Sequence, residues 1–322
     1  MLSKIASGEY PLEAVPRCVC GASGGIELAG HDRYGLPVGV LLCATCGLAR
    51  TSPRLAAEVL GRFYQEDYHA LHQSVETPEA GTALFREGQG RAIADYLGDR
   101  PPLGSIRVAD IGCGTGQVLR EFQAALGPER VTAAGCEYAA AFVEAGRAAG
   151  SDIRQGGPET LLGSAPFDVV ILSHVVEHFP DPVADLELIR RLGNERSLFY
   201  VEVPGLLTID QKAEYAFRFD QYLTLAHTYH FTLSTLAATM ARAGFTLIEG
   251  DERVRSIFRS AEPTEPVIDP SIAVRVLESR ANLGRLSNRA RGAPVLLRQR
   301  LAALARRLPE PAYARLRQLA RR

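Results

Sequence analysis

Apolar and polar positions follow two alternating patterns along the second half of the chain. Five short apolar runs predict buried strands at residues 106–111, 131–136, 167–172, 198–203 and 245–249. Apolar residues at helical spacing predict four helices between them, at residues 117–126, 139–149, 183–192 and 234–243. Strands and helices that alternate at this spacing predict an α/β fold, in which a doubly wound, mostly parallel sheet is covered by helices on both faces.

The N-terminal part lacks this alternation and contains two close pairs of cysteines. In a cytosolic protein, such pairs more often hold a metal than form a disulfide. Cys43 and Cys46 are separated by two residues and followed by Gly47, as in a zinc knuckle, whereas a single residue separates Cys18 from Cys20. We therefore predict that Cys18, Cys20, Cys43 and Cys46 hold a structural zinc ion, with four free thiols as the alternative.

Shifts in composition divide the chain into four predicted parts. The cysteine-containing residues 1–55 form a zinc-binding module, and residues 56–104 form a helical connector that ends near Pro101-Pro102. Residues 105–260 contain the predicted sheet, and residues 261–322 form a basic helical C-terminal extension. More than one domain is expected at this length, because single cores rarely exceed about 250–300 residues.

The composition excludes several classes of protein. Of the 322 residues, 46% are apolar and 23% are charged, which excludes a disordered or collagenous chain. No apolar run approaches the roughly 18–20 residues of a membrane-spanning helix. The N-terminus lacks the apolar segment of a signal peptide, so we expect a cytoplasmic protein, with peripheral contact at the inner membrane as the alternative.

Charge is distributed unevenly along the chain. From residue 270 onward there are 13 Arg and two acids, a net charge of +11, whereas the rest of the chain carries −12. Leu297, Leu301, Leu304 and Leu308 recur there at helical spacing, flanked by arginines. Such a helix can dock on an anionic membrane or a partner, or its leucines can pack on the acidic remainder of the chain or across a homodimer.

The segment Val108-Ala-Asp-Ile-Gly-Cys-Gly-Thr-Gly116 carries the strongest chemical signal. A predicted strand enters a loop with three glycines and a helix follows at once, so the backbone can approach a ligand closely. Glu137 follows the next predicted strand, where a carboxylate can accept hydrogen bonds from ribose hydroxyls. A dinucleotide fingerprint requires G-x-G-x-x-G, whereas the spacing here is G-x-G-x-G and Asp110 precedes the loop. An acid at that point suits a cationic amino group better than a pyrophosphate.

This loop resembles the first motif of class I S-adenosylmethionine-dependent methyltransferases. Segments 158–161, 167–182 and 243–245 are similar to later motifs of that family, so the resemblance covers roughly residues 106–250. It implies a seven-stranded Rossmann-like sheet and S-adenosyl-L-methionine as cofactor. The residues that it assigns to cofactor binding are Asp110, Gly112, Cys113, Gly114, Gly116, Glu137, Tyr138, Glu159, Ser173 and His174. With its cysteine pairs, the chain also resembles a subgroup with an N-terminal zinc module, many of whose members modify sugars, glycans or natural products.

His174-Val-Val-Glu-His178 matches the H-x-x-E-H signature of a class of zinc peptidases. Pro180 and Pro182 break the long helix that such a site requires, so we reject a peptidase site. The resemblance instead implies that His174 borders the methionine end of the cofactor, and we expect Glu177 and His178 to border the acceptor cleft.

A long connection, residues 204–231, follows the strand predicted at 198–203. Its aromatic residues, interleaved with His227 and His230, suit a sugar or another ring as substrate. The alternative is an insert whose aromatic residues form a satellite core. A hydroxyl acceptor needs a base during transfer, and our candidates are His178 first, then Glu177, His227 and His230.

These observations predict an S-adenosylmethionine-dependent methyltransferase that acts on a small molecule or on a sugar or glycan acceptor, at oxygen. The alternative function is a nucleic-acid methyltransferase that binds RNA or DNA through the zinc ribbon and the basic tail. The acidic charge of the rest of the chain argues against nucleic acid as a partner. A third candidate is an inactive scaffold, which would not bind the cofactor.

Overall fold

The computed structural model describes residues 1–68, 71 and 87–305, and it begins with a small antiparallel unit. Its strands are β1 (Leu12–Glu13), β2 (Ile26–Ala29), β3 (Val40–Leu42), β4 (Ala49–Thr51) and β5 (Arg54–Leu55), and its helices are α1 (Leu2–Ala6) and α2 (Ala57–Glu66). Strands β2, β3 and β4 pair in that order, and β1 pairs with β5. The cysteine pairs lie at turns of this unit. Cys18 and Cys20 precede β2, and Cys43 and Cys46 lie between β3 and β4.

The remaining strands build the main sheet, with one exception. They are β6 (Ile106–Ile111), β7 (Val131–Glu137), β8 (Ile153–Gln155), β9 (Val169–Ser173), β10 (Leu198–Glu202), β11 (Tyr229–His230), β12 (Phe245–Gly250) and β13 (Arg255–Ser260). The seven-stranded main sheet has the order β12-β13-β10-β9-β6-β7-β8. Strands β10, β9, β6, β7 and β8 are parallel neighbours, and β13 is antiparallel to both strands beside it. The exception is β11, which pairs with β4 of the N-terminal unit.

Helices cover both faces of the main sheet, which confirms the predicted doubly wound α/β fold. They are α3 (Gln89–Leu97), α4 (Gln117–Leu126), α5 (Ala140–Ala148), α6 (Pro182–Arg190), α7 (Phe219–Tyr222), α8 (Leu233–Arg242), α9 (Ser271–Leu283) and α10 (Leu286–Ala305). Alternate residues of β9 pack into different apolar clusters, with Val170 and Leu172 in one and Val169 and Ile171 in the other. This arrangement explains why the apolar run at residues 169–172 is unbroken, because a strand covered on both faces buries every side chain.

Two strands of the main sheet, β8 and β13, were not predicted from the pattern. Strand β8 has only three residues, too few to establish a period of two. Strand β13 has arginines at positions 255 and 259 around its buried centre, which weakened the apolar signal. The five predicted strands lie within two residues of their expected limits.

A third apolar cluster lies outside the main sheet and joins three distant segments. It contains Leu42 of β3, Tyr222 of the 204–231 connection, and Ile272 and Val276 of α9. Helix α9 therefore packs on the N-terminal unit, and a Cβ at Gly47 would lie 2.6 Å from Cγ2 of Ile272. The four predicted domain limits stay a prediction.

Helix α10 contacts the 204–231 connection. The guanidinium of Arg291 lies 3.7 Å from the ring centre of Phe217, and Gly292 packs against Ala216. Of the predicted leucine stripe, Leu297 is 59% exposed, whereas Leu308 and the side chains of Leu301 and Leu304 lie outside the described residues. Within the described part of the chain, no helix combines the length and apolar character needed to cross a membrane.

Candidate active site

A cavity of about 350 Å³ opens at the carboxyl ends of β6, β7 and β9. Strands β7 and β9 lie on opposite sides of β6, so the chain order reverses at this point of the sheet. Ligands of open α/β sheets bind in the crevice at such a reversal. The lining comes from the glycine loop, from the ends of β7 and β9, from the 158–164 turn and from α2.

The glycine loop bends sharply between β6 and α4. Gly112, Gly114 and Gly116 have φ values of +66°, +56° and +72°, in the left-handed region that favours glycine. Gly112 and Gly114 line the cavity together with Cys113, whereas Gly116 begins α4 and packs on Ser151. Asp110 is fully buried at the end of β6, two residues before the first of these glycines.

Glu137, the last residue of β7, is held by two backbone amides at the edge of the cavity. Its Oε2 accepts a hydrogen bond from the N–H of Gly114 at 3.1 Å, and its Oε1 accepts one from the N–H of Ala139 at 2.9 Å. A carboxylate has about four lone-pair sites, so each oxygen can accept a further hydrogen bond from a ligand hydroxyl. The loop backbone and this acid therefore form one unit.

Three further residues with acidic or phenolic groups line the same end of the cavity: Tyr138, Glu159 and Asp185. Burial, followed by the nearby charge of Glu159, raises the pKa of Tyr138 to about 12. Burial, followed by Asp181, raises the pKa of Asp185 to about 6. Because no arginine or lysine lines the cavity in the described ranges, this end suits a neutral or cationic ligand better than an anionic one.

The chain leaves β9 through a strained residue. Ser173 is fully buried, its Oγ accepts a hydrogen bond from Nε2 of Gln89 at 2.6 Å, and it does not belong to the cavity lining. His174 has a φ of +58°, which is uncommon for a residue with a Cβ, and its imidazole lines the cavity. Such strain occurs often at functional sites.

His178 and His174 share a buried carboxylate. Glu177 is 1% exposed, and its Oε1 lies 3.4 Å from Nδ1 of His174 and 3.9 Å from Nε2 of His178. Nδ1 of His178 lies 2.9 Å from the carbonyl oxygen of Ala226. A carbonyl only accepts hydrogen bonds, so Nδ1 carries the proton and Nε2 carries the lone pair. The His178 ring lines the cavity and can act as a base, with a carboxylate placed to stabilise the imidazolium.

The other two candidate bases lie behind His178. The ring of His227 is 5.1 Å from that of His178, and it does not belong to the cavity lining. His230 is fully buried, its Nε2 lies 3.2 Å from Oγ1 of Thr51, and burial lowers its pKa to about 3. The aromatic residues Tyr215 and Tyr222 belong to the third apolar cluster. The structure therefore favours the satellite-core alternative for the 204–231 connection.

One wall of the cavity comes from α2, a helix to which we had assigned no function. The lining residues of α2 are Ala57, Leu60, Gly61 and Tyr64, and Tyr68, just after the helix, lines the cavity as well. The hydroxyl of Tyr64 lies 3.2 Å from Nδ1 of His178, and both tyrosine rings meet the His178 ring edge to face. The spacing i, i+3, i+4, i+7 marks a single helical face and was the available signal in the sequence.

The four N-terminal cysteines converge on one point. Sγ of Cys18 lies 3.6 Å from Sγ of Cys46, Sγ of Cys20 lies 3.7 Å from Sγ of Cys43, and all four sulfurs lie within 4.8 Å of one another. Thiolates on a tetrahedral zinc ion lie about 3.8 Å apart, since a Zn–S bond measures about 2.3 Å. The hydrogen bond from Cys46 lowers the pKa of the Cys18 thiol. The donor set and its spacing thus fit zinc.

Comparisons with known proteins match this chain to a protein family and to one curated relative. A family model described as "Methyltransferase domain" matches residues 83–249. A curated ubiquinone biosynthesis O-methyltransferase of Xylella fastidiosa is 38% identical over 98 residues, which cover 28% of this chain and 38% of that protein. The chain thus matches well under half the length of this relative.

Solved structures are similar at lower identity. One is a chain from the complex between the Haloferax volcanii Trm112 methyltransferase activator and a putative methyltransferase, at 15% identity and a TM-score of 0.45; the alignment covers 61% of this chain and 97% of that one. Another is an O-methyltransferase family protein from Burkholderia thailandensis, at 12% identity and a TM-score of 0.46, covering 65% of this chain and 68% of that one.

Proposed function

Because this chain belongs to the methyltransferase-domain family, we propose that it is an S-adenosylmethionine-dependent methyltransferase. The observation that carries the proposal is the position of the Glu137 carboxylate. Two backbone amides hold it at the edge of a cavity, beside glycines whose backbone is in the left-handed region. This arrangement fits the cofactor, since Glu137 can accept the ribose hydroxyls while Gly112 and Gly114 leave room for the chain of the methionine. Tyr138 and Glu159 would border the adenine, and His174 the methionine end.

In this proposal, the protein supplies alignment and a base. When bound, the cofactor provides a sulfonium-activated methyl group. Nε2 of His178 takes the proton of the acceptor hydroxyl, Glu177 stabilises the imidazolium that results, and the Ala226 carbonyl keeps the ring in the required tautomer. Tyr64 and Tyr68 would hold the acceptor against the donor and displace water.

The proposed acceptor is a small molecule, including a sugar, methylated at oxygen. The aromatic wall of α2 supports this class, because rings pack on the apolar faces of such molecules. The curated relative is an O-methyltransferase of ubiquinone biosynthesis, which also supports a small hydroxyl acceptor. For nucleic acid, the described cavity lining offers no cation to pair with phosphate.

A labelled-methyl assay tests this function. Protein is incubated with methyl-tritiated S-adenosylmethionine and, in parallel, with a small-molecule extract of the source organism, total RNA or genomic DNA. We expect label in the small-molecule fraction alone, and we expect His178→Gln to lower transfer by 100-fold or more, on the order of the 10²–10⁴-fold typical of a lost general base. Label in RNA or DNA would support the alternative function instead.

We also propose that Cys18, Cys20, Cys43 and Cys46 hold a structural zinc ion, supported by the sulfur spacing. For the basic C-terminal extension, we propose docking on this same chain rather than on a membrane. The stacking of Arg291 on Phe217 and the close packing of Gly292 on Ala216 support this assignment.

A further inference from the structure

The fourth strand of the small N-terminal sheet comes from the C-terminal half of the chain. Strand β11 pairs antiparallel with β4, so that Tyr229 lies opposite Arg50 and His230 lies opposite Ala49. The sheet order is β11-β4-β3-β2. Residues 226–230, hereafter the 226–230 segment, are therefore paired with the cysteine-containing unit and not with a strand of the main sheet.

Thr51 of β4 makes close polar contacts with the 226–230 segment. It is 1% exposed, its N–H donates to the carbonyl of Thr228 at 2.9 Å, and its hydroxyl donates to the carbonyl of His227 at 2.5 Å. The same hydroxyl lies 3.2 Å from Nε2 of His230. Thr51 does not line the cavity, so any effect on the reaction must pass through the residues that it holds.

The 226–230 segment in turn surrounds His178. The carbonyl of Ala226 receives the Nδ1 proton of His178 at 2.9 Å. Thr228 donates its N–H to the carbonyl of Glu177 at 2.7 Å and lies within 3.0 Å, through its hydroxyl, of the carbonyl of Phe179. The residues before and after His178 and the ring itself are thus all fixed by one short segment.

At its other end, β4 is anchored to both cysteine turns. Cys46 lies three residues before β4, in the turn that begins with Cys43. The side chain of Arg50 is fully buried and donates to the carbonyls of Val15 at 2.9 Å and Gly24 at 2.7 Å, on either side of the Cys18 turn. A metal held by the four sulfurs would fix these turns, and with them the position of β4.

We propose that Thr51 is a positioning residue for His178, and that the cysteine cluster acts through it. Metal bound to the four sulfurs would stabilise β4, β4 holds the 226–230 segment through Thr51, and the segment holds the imidazole of His178 through its Nδ1. The cofactor side, built from β6, β7 and the glycine loop, takes part in none of these hydrogen bonds. The inference rests on the proposed function in treating His178 as the base and in placing a metal at the four cysteines.

The test compares Thr51→Val with Thr51→Ser in the full-length protein. Valine keeps the shape but removes the hydroxyl, whereas serine keeps it. Thr239→Val is the matched control, since Thr239 is also buried but its hydroxyl donates within α8, to the carbonyl of Thr235. We expect Thr51→Val to raise amide exchange in the 226–230 segment by roughly tenfold, the size of one lost buried hydrogen bond. Residues 106–116 should exchange as in the unaltered protein, and Thr51→Ser should restore protection.

Two further readouts separate positioning from general loosening. The imidazole ¹⁵N signals of His178, identified by their loss in His178→Gln, should report a single Nδ1–H tautomer in the unaltered protein and a mixture in Thr51→Val. The affinity of Thr51→Val for S-adenosylmethionine should stay within about twofold of that of the unaltered protein, because Thr51 does not line the cavity. An unchanged tautomer and unchanged exchange in a folded Thr51→Val protein would overturn the proposal, as would equal effects in Thr239→Val.

Removal of the metal tests the cysteine cluster. Protein stripped with a chelator should show faster exchange in the 226–230 segment but not in residues 106–116, and added zinc chloride should reverse the change. Faster exchange throughout, or no change anywhere, would contradict transmission through Thr51. A failure of the proposed function is recognised separately, because it would appear as absent cofactor binding in the unaltered protein while these exchange results stand.

Discussion

At the scale of single residues, three carboxyl groups near the cavity are held in three different ways. Glu137 accepts hydrogen bonds from two backbone N–H groups. Glu177 is buried beside two imidazoles. Asp185 is half-buried, and burial together with Asp181 raises its pKa to about 6. The sequence identified the first two as candidates, but the surroundings of Asp185 depend on packing between α6 and the turn at 158–164.

We expect Asp185→Asn to stabilise the protein above pH 6. Because the pKa of Asp185 is raised on folding, the neutral carboxyl favours the fold below pH of about 4, and this contribution is lost as pH rises through about 6. The gain at pH 8 should be about 1 kcal/mol, since partial exposure screens the charge. Thermal unfolding at pH 5 and pH 8 measures it, with the exposed Asp152→Asn as control. A gain that is larger at pH 5 than at pH 8 would refute this sign.

At the scale of elements, the sequence predicted those whose pattern is local. The strands at 106–111 and 198–203 are buried on both faces, and the loop at 112–116 combines glycines with a helix start, so each leaves a mark in the sequence. The pairing of β11 with β4 left no such mark, and the spacing in α2 indicated a helical face but not the cavity that this face lines. Both depend on contacts between segments more than 100 residues apart, which no local periodicity encodes.

Two glycines of the same loop should separate stability from binding. A Cβ at Gly116 would lie 2.7 Å from Oγ of Ser151, so Gly116→Ala should cost about 2 kcal/mol of stability through strain and crowding. A Cβ at Gly114 would lie 3.9 Å from Cδ1 of Phe142, an ordinary contact, so Gly114→Ala should cost about 1 kcal/mol for its positive φ, while it weakens cofactor binding. Denaturant unfolding measures both, with Gly163→Ala as an unstrained control. Equal stability losses at positions 114 and 116 would contradict this account.

At the scale of the whole molecule, the cysteine-containing unit pairs with the segment that surrounds His178, and His178 lines the cavity of the main sheet. The third apolar cluster and the β11–β4 pairing join the N-terminal unit, the 204–231 connection and α9 into one body, which also packs on the main sheet through Cys18 and Cys43. The opposite charges of the C-terminal extension and of the remaining chain favour the contacts that α10 makes with this body.

For the whole molecule, we predict the zinc content of the purified protein. Protein purified without chelator should contain about one zinc ion per chain, because four sulfurs already stand at tetrahedral spacing. Cys43→Ser should lose the metal and lower the unfolding temperature, whereas Cys136→Ser, in β7, should keep it. Elemental analysis by mass spectrometry measures the content. Metal-free protein of unchanged stability would show that the four thiols are free.

Binding of S-adenosylmethionine to the purified protein tests the central claim most directly. Isothermal titration calorimetry should give one site per chain, and Glu137→Gln should weaken binding by about tenfold or more, since hydrogen bonds to a charged group contribute about 1.5–3 kcal/mol. Glu144→Gln removes the same charge from an exposed position of α5 and should bind as the unaltered protein does. No binding by the unaltered protein, or equal affinity in the Glu137 and Glu144 variants, would contradict the assignment of this cavity to the cofactor.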